Sequence, residues 1–226
     1  MIALTPDDLQ AIKLSLRVAL SATIITLPAG FAVAYVLAMT NIRGKAILEG
    51  IVNLPLVLPP VVTGYLLLLL FGKNGWVGQF LAQFDIRIIF TLKAAIIASS
   101  VVGFPLLVRS IRIGLETIDK QYLHASRSLG AKWWDTLLTI TIPLCGRAIL
   151  AGTTLMFARS LGEFGATIVL AGNMPGITQT IPLAIYQYTS IPGGDSMALS
   201  LCLVSIILSF MVLLFGEAVN RKLAVR

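Results

Sequence analysis

Five long apolar blocks gather the charges of this chain into short clusters, and few folds tolerate that pattern. The blocks are Val18–Ile42, Ile51–Gly72, Ile88–Val108, Ala148–Ala171 and Ser196–Gly216. Each is near the roughly 20 residues that carry a helix across the hydrocarbon core of a bilayer. A backbone in lipid must satisfy its own N–H and C=O groups, so continuous apolar runs of this length predict helices. Charged residues make up 12% of the chain, about half the share of a soluble domain. The first, second and fifth blocks carry no charge, and Lys93 near the start of the third reaches the interface along its methylene stem. The expected fold is an all-α integral membrane protein of about five transmembrane helices in a single domain, residues 1–226.

Lysine and arginine counts set an orientation, because cytoplasmic loops collect them. Arg43, Lys45, Arg109, Arg112, Lys120, Arg127, Lys132, Arg147, Arg221, Lys222 and Arg226 fall on one side, eleven in all. Lys13, Arg17, Lys73, Arg87 and Lys93 make five on the other, and Arg159 lies within a span. The N-terminus is therefore expected outside and the C-terminus inside. This asymmetry accounts for the net charge of +7 without nucleic acid, for which no recognition module is present. The N-terminal segment is acidic where a cleavable signal peptide would be basic. Cys145, Cys202 and His124 lie far apart and lack companion ligands, so no metal site is expected and the cysteines read as packing residues.

Two connections stand out by length, residues 109–147 inside and 172–195 outside. The outer one contains TIPLAIYQYT, apolar enough for a short helix lying on the membrane or dipping into it. The inner one holds LHASRSLGAKWWDTLLTITIPL, Leu123 to Leu144. His124 to Leu129 spans a turn and a half of helix, and Gly130 suits a helix end. Trp133, Trp134, Leu137 and Leu138 then bring apolar surface at helical spacing, and Pro143 marks the start of the fourth span. A short amphipathic helix at the membrane's inner face is a docking knob for a soluble partner, or a helix that only touches lipid.

That segment resembles the EAA loop of ABC-importer permeases. The matching positions are His124, Ala125, Ser126, Gly130, Ile140, Ile142 and Pro143, with His124 in place of Glu, Ser126 of Ala and Ile142 of Leu. In the family this loop places a coupling helix in a groove on the ATP-hydrolysing subunit. The resemblance carries that ATPase-coupling role to His124, Ala125, Ser126, Leu129, Gly130, Ile140 and Pro143. Asn53–Gly78 is similar to the second-span region of molybdate permeases, and Phe157–Thr167 to a fourth-span region that molybdate and sulfate permeases share. The resemblance runs from Thr40 through the fifth span. It implies a type I ABC importer permease fold and a molybdate importer, with sulfate or tungstate as alternatives. It also implies a multi-pass protein of the bacterial inner membrane, working as a homodimer with two ATPase subunits and a periplasmic oxyanion-binding protein.

The spans suggest where transport happens. Pro55, Pro59 and Pro60 interrupt the second block, and carbonyls freed by proline persist in a membrane only against protein or water. Arg159 and Glu163 are four apart in the fourth block, close enough to pair on one helical face. Such charges turn inward; the pair either lends positive potential to an anion path or locks helices together. Gly162, Gly165, Ala158 and Ala166 beside it permit close packing. No GxxxxGK[ST] loop occurs, so the chain is read as a transport subunit without catalytic residues or a cofactor of its own, ATP and magnesium binding to the partner ATPase. The reading from another class, an ion-coupled secondary transporter, needs a titratable intramembrane relay. Glu163 is the sole acid in the five blocks.

Overall fold

The computed structural model describes residues 4–40 and 42–224, and all regular structure among them is helical. Helix α1 covers Pro6–Met39, α2 Lys45–Val57, α3 Pro60–Phe71, α4 Trp76–Ala82 and α5 Leu92–Glu116. Helix α6 covers Lys120–Ser128 and α7 Trp133–Thr136, followed by a π-helical turn at Leu137–Thr141. Then come α8 (Ile142–Leu161), α9 (Gly165–Ala171), α10 (Ile181–Thr189) and α11 (Asp195–Ala224). Four stretches are long and apolar enough to cross a membrane, and α2 with α3 makes a fifth if that bent pair counts as one span.

Four of the five expected spans exist as long apolar helices and the second is the bent pair α2–α3, and their ends move. The first starts at Pro6 instead of Val18, because Thr5 and Asp8 form a reciprocal cap that satisfies the first orphan N–H groups. Lys13 and Arg17 therefore lie within helix, where both stay exposed. The third starts at Leu92 and runs on to Glu116, taking in Arg109 and Arg112. The inner connection is consequently not a loop: of residues 109–147 only 117–119 and 129–132 lie outside helices. The connection over residues 172–195 does contain the expected short helix, α10. Asn41, in the expected first span, and Arg226, counted among the inner cations, lie outside the described residues.

Two expected continuous spans are broken. The second splits at Leu58–Pro59, and α2 and α3 diverge by 113°. Two consecutive prolines supply no N–H, so neither residue can close a helical hydrogen bond across the junction. The fourth was expected over Ala148–Ala171. It is instead continuous helix from Trp133 to Leu161, with the π turn inside it, and ends at Gly162 before α9 resumes. The π turn closes with Ile142 N–H donating to the Leu137 carbonyl. Pro143 follows at once, and its missing donor removes the bond that would hold ordinary α register there.

Helix α5 is the hub, packed against α1, α8, α9 and α2, while α11 lies on α8 and α10. Lipid offers side chains as apolar a home as protein does, so close packing, not exclusion from water, joins such helices. Small residues provide it. Ala94, Ala95, Ala98 and Gly103 line α5, and a Cβ on Gly114 would collide with that of Ala148. Cys145 is buried and donates to the Ile111 carbonyl at 3.6 Å, in keeping with a packing role. The exposed side of α11, with Ile206, Ile207, Phe210 and Phe215, suits contact with lipid tails. At the end of the bundle that holds Thr5, α10 is tied to α1: Ile181 N–H donates to Ser15 Oγ at 2.8 Å, and the Tyr188 hydroxyl to buried Asp8 at 2.9 Å.

Candidate functional site: a protruding knob and a double break

The knob is built by ordinary capping chemistry. Asp119 caps α6 by accepting from Gln121 N–H at 2.9 Å. At the other end Gly130 takes φ +84. Its N–H donates to Arg127 C=O at 3.0 Å, and Ala131 N–H donates to Ser126 C=O at 3.1 Å. These two bonds form a Schellman end, which favours glycine at the left-handed position. The reversal presents Leu129, 89% exposed, at the tip beside exposed His124, Ala125 and Gly130.

The other expected coupling residues play different parts. Ser126 is buried, sharing a 2.6 Å hydrogen bond with Thr136 that clasps α6 to α7. Ile140 lies in the π turn, and Pro143 follows as the second residue of α8. Both belong to the stem and not to the tip. Trp133 and Trp134 pack edge to face at 4.3 Å between ring centroids. Trp133 also donates its indole N–H to the Tyr35 hydroxyl at 2.9 Å, tying the knob to α1. Tyr35 was missed by the sequence reading, for it sits unmarked in an apolar block and its partner is 98 residues away.

The second constellation lies where the two broken spans meet. A Cβ on Gly165 would stand 2.8 Å from Pro60 Cβ, and one on Gly64 2.8 Å from Ala166 Cα. Helices α3 and α9 thus pack backbone against backbone beside their breaks. Of the four small residues expected to permit this, Gly165 and Ala166 do so, while Gly162 meets nothing within 4 Å. The expected pair forms, with Arg159 Nη1 at 2.8 Å from Glu163 Oε2. It spans the end of α8 instead of one continuous helix face. Glu163 does a second job, accepting from Ala166 N–H at 2.8 Å through Oε1 and so capping α9. Its side chain is 1% exposed, against 30% for Arg159. Around the break Thr63, Ser99 and Ser160 carry buried hydroxyls without a hydrogen-bond partner among the described residues. Pro55 lies inside α2 and Pro59 in the hinge, apart from this contact.

A family model described as the inner membrane component of binding-protein-dependent transport systems matches residues 17–225. The molybdenum transport system permease protein ModB of Haemophilus influenzae is 48% identical over 217 residues, 96% of this chain and 95% of that protein. The sulfate transport system permease protein CysW of Synechocystis is 36% identical over 177 residues, 78% of this chain and 64% of that one. Among solved structures, a bacterial alginate ABC transporter in complex with a periplasmic protein superposes with a TM-score of 0.75 at 17% identity. That match covers 96% of this chain and 80% of its counterpart.

Proposed function

This chain belongs to the family of binding-protein-dependent transport system inner membrane components, and from that premise we propose that it forms the transmembrane path of an ATP-driven molybdate importer. It is a multi-pass inner-membrane protein with a transport role. The observation that carries molybdate is the 48% identity, spread over nearly the whole of both chains, to a molybdenum permease. The sulfate relative is more distant and matches less of the chain, which makes sulfate the second reading.

In this proposal the α6–α7 knob docks on a separate ATPase at the cytoplasmic face, so the C-terminus lies inside. A single copy with five spans is too small to enclose a gated path, so two copies are taken to surround one on a two-fold axis. Two ATPase subunits supply the energy and bind ATP and magnesium. A periplasmic oxyanion-binding protein delivers the anion near α10. Closure of the ATPase dimer draws the knobs together and tilts the spans from inward to outward access. A dianion passes best along weak donors such as hydroxyls and backbone N–H groups, which do not trap it. The unpartnered hydroxyls beside the double break are of that kind. Arg159, neutralised by Glu163, acts mainly to hold the break.

The test is reconstitution with the ATPase and the binding protein, followed by uptake of labelled molybdate in competition with tungstate and sulfate. ATP-dependent molybdate uptake that excess sulfate fails to suppress supports the proposal. Uptake of sulfate in preference to molybdate assigns the second reading.

A further inference from the structure

Helix α2 is held to the rest of the molecule by little. Val52 is its single buried residue, and one end hinges at Leu58–Pro59. One turn in from the other end, Glu49 Oε1 lies 2.6 Å from Arg112 Nη1 of α5. Arg112 also holds Glu116, one turn on in its own helix, through Nε at 2.8 Å. Between α2 and α5 opens a cleft of about 510 Å³, with Asn53 and Val57 on one wall and Val108 and Arg109 on the other. Glu116 ends α5, and after Thr117, Ile118 and Asp119 the chain enters α6, the knob. Arg112 therefore sits one turn before the end of α5 and eight residues before the start of the segment that the proposed motor would move.

A sparsely packed helix with a hinge at one end and an ion pair at the other is a lever. We infer that the Arg112–Glu49 pair is the tie through which displacement of the knob swings α2 about Pro59 and opens or closes the cleft. Arg112 and Glu49 are thus positioning residues for transport, acting through helix placement and not by touching the anion. The inference rests on the importer reading above. A planar guanidinium suits the task, since it binds carboxylates on two helices at once.

The test measures molybdate taken up per ATP hydrolysed by the complete transporter in proteoliposomes. Glu49→Gln, which cuts the tie, lowers that ratio about threefold, in line with the worth of a part-exposed ion pair, while assembly and ATP hydrolysis persist. Glu116→Gln, which removes only the pair within α5, leaves the ratio at the wild-type value. An unchanged ratio for Glu49→Gln overturns the inference, and so does an equal loss for Glu116→Gln. A second measurement does not need Glu49→Gln to assemble. Cysteines introduced as Asn53→Cys and Arg109→Cys, joined across the cleft by a reversible crosslinker, stop uptake until reductant is added; full uptake while joined overturns the inference. Absence of ATP-dependent uptake by the wild-type complex refutes the importer reading instead.

Discussion

Trp133 donates its indole N–H to the Tyr35 hydroxyl across 2.9 Å, so the first span holds the base of the knob. Removing either partner costs about 1 kcal/mol, the usual net worth of a hydrogen bond. Tyr35→Phe keeps the ring contact, 6.0 Å between centroids, and isolates the hydroxyl. It should lower the thermal midpoint by a few degrees and reduce ATP-dependent uptake more than ATPase recovery. Scanning fluorimetry and vesicle uptake read the two effects.

The tip separates shape from contact. Gly130 has φ +84 and open space around its Cβ direction, so Gly130→Ala is opposed by backbone strain alone, about 1 kcal/mol. It should fray the end of α6, visible as faster amide exchange at Ala125–Ala131. Leu129→Ala trims a side chain that is 89% exposed, so stability should hold while ATPase binding weakens.

Arg159 and Glu163 should not be equivalent. Arg159→Met leaves a fully buried carboxylate with only Ala166 N–H for compensation, at a cost of about 3 kcal/mol. Glu163→Gln leaves an arginine that is part-exposed and retains an oxygen to cap α9, so the loss should be smaller. Equal destabilisation of the two, measured by denaturation in detergent, would contradict this arrangement.

The α3–α9 contact beside the double break should tolerate no added carbon. Gly64→Ala drives a Cβ to 2.8 Å from backbone of α9, whereas Gly146→Ala meets nothing within 4 Å. Overpacking costs about 1–3 kcal/mol, so recovery of folded Gly64→Ala should fall well below that of Gly146→Ala.

Burial first, and then the Asp8 carboxylate, raises the Tyr188 phenol above its ordinary value. The folded chain therefore holds that proton to higher pH than the unfolded chain. Its stabilising contribution is complete below the ordinary phenol pKa and is lost as pH rises through the folded value. Alkaline titration should release α10 from α1, seen as faster exchange over Ile181–Thr189, and Tyr188→Phe should abolish that pH step.

The apolar blocks made the order of the spans legible, and their number if α2 with α3 counts as one, because the bilayer's thickness is imposed on composition directly. Their ends were not legible. Asp8, Lys13 and Arg112 look like loop residues by charge, yet caps, exposed stems and cross-helix ion pairs keep them in helix. The Pro59–Pro60 break carried a visible cause. The Gly162–Phe164 break did not, since Gly162 and Gly165 differ little from the small residues that merely pack helices. Gly130 as a helix end followed from its position alone. The burial of Ser126 did not, because it depends on Thr136 folding back upon it.

The most direct test concerns the tip of the knob. With Leu129→Cys carrying a short photocrosslinker, irradiation of membranes that contain the complete transporter should join this chain to the ATP-hydrolysing subunit. Labelling of the same cysteine in sealed cells should require a reagent that crosses the membrane. No crosslink to a nucleotidase, or ready labelling by an impermeant reagent from outside, would contradict the account.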